Sequence, residues 1–229
     1  MKSGIKKIIS LTLAVLMLFS TLTLTSCNRS FDEEEVLAAA NELLKQAEIL
    51  NVVYYGSGIR YVDTDEEMGY YRRADLLHLE ELGFSTIDEL KAMTEKTFSD
   101  KYSQMIYKTI LSSLTDDTSV VTLARYHQVY DEKTGEPTHI MVYSKFSLMM
   151  KGSLEYDYDT LRVVGSKKDK VNLLIDATVT NTEGKSQKTT VTVTLVEDED
   201  GWRIDAPVYA NYNDQKDRYD ELKDQNIKK

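Results

Sequence analysis

The only cysteine of the chain, Cys27, stands in the most distinctive chemical setting that the sequence offers. It follows an apolar stretch from Ile8 to Leu24, and three lysines precede that stretch, at positions 2, 6 and 7. A basic segment, an apolar segment and small residues before a cleavage point form the pattern of a secretory signal. The one thiol of the chain therefore lies at the predicted end of an export signal.

The four residues that end at this thiol resemble the bacterial lipobox, which is an aliphatic residue and two small residues followed by Cys. They are Leu24, Thr25, Ser26 and Cys27. The resemblance implies a lipoprotein signal peptide over 1–26, lipidation of Cys27 and anchoring at the extracytoplasmic face of the cell membrane. Two or more acyl chains hold a protein there stably, whereas one chain is marginal. An uncleaved membrane anchor and a secreted protein cut before an incidental cysteine are the alternatives.

No other residue pattern in the sequence identifies a reaction. His78, His127 and His139 lack metal-ligand spacing, and no GxSxG, Walker or dinucleotide glycine pattern is present. The acidic run Asp198–Gly201 lacks the spaced acceptors and the late Glu of an EF-hand, so we interpret it as a charged hairpin. Paired carboxylates for acid–base catalysis stay open, because the chain has 38 acidic residues. We predict a non-enzymatic protein without metal or cofactor.

The charge of the chain limits its partners. The formal net charge is −10, and because the first 26 residues contribute three positive charges and no negative one, the remainder carries about −13. Nucleic acid is therefore excluded as an expected partner, since neutralising phosphates requires basic patches. A basic protein would suit this charge, although high net charge is also a common means of staying soluble.

Hydrophobic periodicity divides the chain into a helical half and a strand-rich half. It predicts a helix over 32–50, opened by a capping box at Ser30, and further helices opened at Ser85 and Ser99. From Ser119 onward the period changes to two, which predicts strands joined by tight turns. The expected fold class is α+β, with N-terminal helices packed on a curved antiparallel sheet.

The length suits one domain with appendages. We expect a lipidated tether over 27–31, a single domain over 32–211 and a charged tail over 212–229.

Two groups of residues are candidate binding sites. The first lies in the least regular segment, where acidic and aromatic residues suit a protein partner. It comprises Asp63, Asp65, Glu66, Glu67, Tyr70 and Tyr71. The second is Arg125 and His127, which share a predicted strand face with apolar residues and would line a ligand pocket between helices and sheet. The alternative is that this face is exposed to solvent.

The closing run Gly201–Pro207 contains the only tryptophan, Trp202. Together with helices followed by long antiparallel strands, it resembles the NTF2-like and cystatin-like lipoproteins of Gram-positive bacteria. In those proteins an aromatic residue of the last strand fills the core.

Three short strings form a further pattern between Asp32 and Leu114. They are Gly69-Tyr70-Tyr71-Arg72, Ser85-Thr86-Ile87-Asp88-Glu89-Leu90 and Phe98-Ser99-Asp100. Their order resembles the DL-endopeptidase inhibitor family of the IseA type. The resemblance implies a non-enzymatic protein that binds cell-wall peptidases of the NlpC/P60 type and blocks their active sites. A small-ligand-binding protein and an accessory protein of an envelope complex are the competing hypotheses.

Overall fold

The first apolar face of the sequence forms helix α1, which spans Glu33–Tyr54. Three glutamates occupy its first turn, where the positive end of the helix dipole favours negative charge. Its buried face includes Val36, Ala40, Leu44, Ala47 and Leu50, which recur three or four residues apart. The predicted helix over 32–50 is confirmed, and it continues for about one further turn because Val53 and Tyr54 are also buried.

The structure is a computed structural model, and it describes residues 31–62, 69–112, 114–115, 121–146, 152–167 and 169–209. The predicted signal peptide, Cys27 and the tail over 212–229 lie outside these ranges. So do the four acidic members of the first candidate site, Asp63, Asp65, Glu66 and Glu67. Within the described ranges, no helix is both long and apolar enough to cross a bilayer.

Three shorter helices follow, and each is opened by a side-chain cap. They are α2 (Leu76–Leu82), α3 (Ile87–Thr97) and α4 (Asp100–Ile106), and a π-helical turn over Tyr107–Leu111 continues α4. Asp75 caps α2, Thr86 and Glu89 form a reciprocal capping box on α3, and Ser99 caps α4. The predicted start of α4 at Ser99 is confirmed, and the cap of α3 is the residue after Ser85.

A three-stranded sheet, called the small sheet below, follows the helices. It consists of β1 (Tyr71–Arg73), β4 (Tyr126–Tyr130) and β5 (Pro137–Tyr143) in the antiparallel order β1-β5-β4. The strands β2 (Leu114–Thr115) and β3 (Val121–Thr122) pair as a separate ribbon. Tyr126, Ile140 and Val142 of the small sheet are buried on the face turned to the helices.

The remaining strands form a four-stranded antiparallel sheet, called the large sheet. They are β6 (Ser153–Lys167), β7 (Lys170–Thr180), β8 (Ser186–Asp198) and β9 (Gly201–Ile204), paired in chain order. Every second residue of β7 from Val171 to Val179 is buried, as period two requires. Helix α1 contacts both β6 and β9, so it lies across one face of this sheet.

The fold is therefore α+β with helices on antiparallel sheets, as predicted, but the strands do not form one sheet. The physical reason is pairing: β5 has β1 on one side and β4 on the other, so neither of its edges is free to pair with β6. Trp202 of β9 is buried, which agrees with the role expected for the closing aromatic residue.

The helices join the edge of the large sheet at Ser99. Its backbone N–H donates to the carbonyl of Ile204 at 2.9 Å, and its hydroxyl donates to the Asp205 carboxylate at 2.6 Å. Lys170 pairs with the same carboxylate at 2.6 Å. Burial would raise the pKa of Asp205, but the bonds from Lys170 and Ser99 outweigh it and lower that pKa. The ionised carboxylate thus connects a helix cap to two strands.

We expect Asp205→Asn to lower the free energy of unfolding by about 1–3 kcal/mol near neutral pH, the usual contribution of hydrogen bonds to a charged group. A lowered folded-state pKa stabilises the protein above the unfolded-state value of about 3.9, and this contribution is lost as pH falls through the folded-state pKa. Urea unfolding at about pH 7 and about pH 3 checks this. The exposed Asp200→Asn is the control, and an equal effect of Asp205→Asn at both pH values would contradict the account.

Candidate partner-binding surface

Four ring side chains gather at one end of the small sheet. They are Tyr70, Tyr71, His127 and Tyr143, and we call this group the tyrosine surface. The ring centroids of Tyr70 and Tyr143 are 6.3 Å apart, those of Tyr71 and Tyr143 are 5.4 Å apart, and those of Tyr71 and His127 are 6.3 Å apart. These separations are within the range in which aromatic rings interact.

Strand register places three of these rings, those of Tyr71, Tyr143 and His127, on one face of the sheet, and Tyr70 lies in the turn just before β1. Tyr71 lies opposite Tyr143 across the β1–β5 pair, and His127 lies opposite Met141 across the β4–β5 pair. Residues that face each other or lie two apart on a strand share one face of the sheet. Met141 lies on the same face but is only 3% exposed, so this part of the face is buried.

Hydrogen bonds hold the Tyr71 side chain and the Tyr70 backbone in place. The Tyr71 hydroxyl donates to the carbonyl of Ala124 at 2.7 Å, and burial, with a smaller contribution from Tyr143, raises the pKa of Tyr71. The carbonyl of Tyr70 accepts bonds from both the N–H and the hydroxyl of Ser144, at 2.9 and 2.7 Å. The Tyr70 side chain nevertheless remains 58% exposed. The surface therefore presents an aromatic ring on a backbone that is already ordered, which reduces the entropy cost of binding.

Exposed apolar side chains are concentrated in the same part of the chain. Five of the nine large exposed hydrophobic residues of the described structure lie between positions 61 and 77. They are Tyr61, Val62, Tyr70, Leu76 and Leu77. This segment pairs beside β1, since Val62 N–H donates to the Arg73 carbonyl at 2.9 Å. Three of these five residues, Tyr61, Val62 and Tyr70, belong to the segment predicted to be irregular, whereas Leu76 and Leu77 begin α2. Exposed apolar surface of this kind is typical of interaction sites.

Arg125 occupies a different position from the one the sequence suggested. It is 3% exposed, and its guanidinium donates to the carbonyls of Tyr54 and Gly56, at 2.8 and 2.7 Å. The Tyr54 carbonyl is the last of α1 and the Gly56 carbonyl lies two residues beyond it, where backbone acceptors lack helical partners and the dipole favours positive charge. The rings of Tyr126 and Phe146 lie 5.4 and 4.5 Å from the guanidinium carbon. Arg125 therefore closes a helix.

Gly58 makes room for this arrangement. Its φ of +77° lies in the left-handed region, and a Cβ atom there would overlap the guanidinium of Arg125 and the Tyr126 hydroxyl. That hydroxyl itself donates to the carbonyl of Val53 at 2.5 Å. The glycine break that the sequence shows after α1 is thus required by the packing of an arginine and a tyrosine from the small sheet.

The structure does not bring Arg125 and His127 together as a pocket. Arg125 is buried against α1, while His127 is exposed on the opposite face of the small sheet beside Tyr71. Two cavities of about 300 and 340 Å³ lie at the large sheet, and neither residue lines them. Within the described residues, no three His, Cys, Asp or Glu side chains are grouped as metal ligands.

No family model and no curated protein matches this chain. The tyrosine surface contains two residues that the sequence indicated, Tyr70 and Tyr71, and two that it did not assign to this site. Alternation along β5 is a signal for Tyr143, because period two places it on the face opposite to that of the apolar Ile140 and Val142.

We expect Arg125→Met to lower the free energy of unfolding by about 2–6 kcal/mol, because each of the two buried carbonyls left without a donor costs about 1–3 kcal/mol. Urea unfolding measures the change. Arg162→Met is the matched control, since that arginine is 47% exposed on β6, and surface substitutions usually stay within about 0.5 kcal/mol. Equal losses in the two variants would show that Arg125 has no special role at the end of α1.

Proposed function

We propose that this chain is a non-enzymatic lipoprotein at the extracytoplasmic face of the cell membrane, where it binds and inhibits a cell-wall peptidase of the NlpC/P60 type. The observation that carries the proposal is the tyrosine surface. An exposed tyrosine on an ordered backbone is the kind of residue that dominates the energy of protein interfaces. The resemblance of the helical half to IseA-type inhibitors gives the proposal its partner.

The fold supports the proposal at a coarser level. We propose an NTF2-like or cystatin-like architecture with a curved sheet, supported by the four-stranded large sheet and by α1 lying across its face. Such a fold leaves the small sheet, on which the tyrosine surface lies, as a separate platform for a partner.

Charge supports the choice of a protein partner. The chain beyond residue 26 carries a net charge of about −13, which would accelerate association with a basic hydrolase through long-range attraction. Such steering weakens as salt screens the charges. Two contributions to binding are therefore expected: the contact of the aromatic side chains and the long-range attraction between the charges. Salt distinguishes them, because only the long-range attraction depends strongly on salt.

The inhibition itself is testable with purified protein and NlpC/P60-type peptidases from the same envelope. We expect micromolar protein to block cleavage of a soluble peptide substrate. A small soluble substrate is chosen because it excludes an apparent inhibition that arises from binding of the protein to the cell wall. The association rate should fall as sodium chloride is raised. Unchanged cleavage at micromolar excess would overturn the proposal.

The tyrosine surface is tested by Tyr70→Ala, which should weaken inhibition about tenfold or more, as expected for an interface residue worth about 2 kcal/mol. Tyr130→Ala is the matched control, because Tyr130 is 51% exposed at the other end of β4. Circular dichroism would verify that both variants fold. Equal inhibition by both variants would place the contact elsewhere.

Anchoring is tested by Cys27→Ser. A hydroxyl cannot replace the thiol as the acceptor in lipoprotein maturation, so we expect the variant to lose labelling by an alkynyl fatty acid fed to the cells. Membrane fractions would lose the mature form at the same time. Labelling that persists in the variant would contradict lipidation at Cys27.

A further inference from the structure

A cavity lies between the C-terminal half of α1 and the beginning of β6. Its volume is about 300 Å³, at the lower end of the range for small-molecule sites. It is lined by Glu48, Asn51, Val52, Ser57, Ser153, Leu154 and Tyr156, together with the backbone of Gly152. It is separate from the tyrosine surface, which lies on the small sheet.

One residue that lines this cavity has a polar atom without a partner. Asn51 is 3% exposed, and its side-chain oxygen is buried without a hydrogen bond. Most buried polar atoms in proteins are paired, and leaving one unpaired costs free energy. A ligand that donates a hydrogen bond to Asn51 Oδ1 would remove this cost. Val52, Leu154 and Tyr156 supply an apolar wall for the remainder of such a ligand.

The electrostatic environment favours a positively charged donor. Glu48 lines the cavity one turn before Val52 on α1, and Glu155 lies near enough to interact with its charge. Burial raises the pKa of Glu48, a bond with Tyr158 opposes the rise, and Glu155 adds to it. A neighbouring cation would stabilise the ionised form of the Glu48 carboxyl group and so offset the effect of burial on it.

We propose that this cavity binds a small, mainly apolar amine, with its ammonium group toward Glu48 and Asn51 Oδ1 and its hydrocarbon part against Val52 and Leu154. The same geometry gives an alcohol of equal length a weaker fit, since it can donate to Asn51 but carries no charge. A carboxylate of equal length is disfavoured, because the carboxyl groups of Glu48 and of the nearby Glu155 repel its negative charge.

Three probes of equal chain length test this proposal on the purified protein: n-hexylamine, n-hexanol and hexanoate. Saturation-transfer NMR and thermal unfolding would report binding. We expect hexylamine to bind and to raise the melting temperature, hexanol to bind about tenfold more weakly, and hexanoate not to bind. No binding of hexylamine, or equal binding of hexylamine and hexanoate, would overturn the proposal.

Variants then locate the binding site. Val52→Trp should fill the cavity and abolish hexylamine binding, whereas Ile49→Trp, on the same helix at a position that does not line the cavity, should leave binding unchanged. Asn51→Leu should weaken hexylamine binding at least tenfold without lowering the melting temperature, since it removes an acceptor that has no partner. Hexylamine binding that survives both Val52→Trp and Asn51→Leu would place the amine elsewhere and refute the assignment.

Discussion

A guanidinium removed from water must find acceptors, and in this protein it finds them at the end of a helix. The two terminal nitrogens of the Arg125 guanidinium donate to the carbonyls of Tyr54, the last residue of α1, and of Gly56 just beyond it, while Nε is buried without a partner. The backbone of the same residue donates to Ile110 and accepts from Tyr143, at 2.7 and 2.8 Å. One residue therefore joins α1, the π-helical turn and the small sheet. Because Tyr143 belongs to the tyrosine surface, this buried contact also positions the exposed candidate site.

Local patterns in the sequence predicted the helices and helix starts that depend on residues close together in the chain. The apolar period gave α1, and capping chemistry gave the start of α4 at Ser99. Two further elements carry local signals of the same kind. Asp75 and Gly83, a helix cap and a left-handed stop, bracket α2. The alternation of apolar and acidic residues at the start of β6 is likewise the mark of a strand.

Features that depend on distant residues could not be predicted in this way. Arg125 bonds to carbonyls about 70 positions earlier in the chain, so its burial follows from tertiary packing and no local pattern reveals it. The division into two sheets depends on which strands occupy the edges of β5, which alternation does not specify. Tyr70 and Tyr71 could be selected from aromatic content and irregularity. That they lie next to Tyr143 could not be predicted without the strand register.

The central claim is that the tyrosine surface contacts a wall peptidase, and site-specific photo-cross-linking in cells tests it most directly. A benzophenone amino acid would replace Tyr70 in one strain and Tyr130 in another, because both side chains are exposed tyrosines on opposite ends of the small-sheet region. The account predicts a covalent adduct with an NlpC/P60-type peptidase from position 70 and none from position 130, identified by mass spectrometry. Absence of such an adduct at position 70, or the same adduct from both positions, would contradict it.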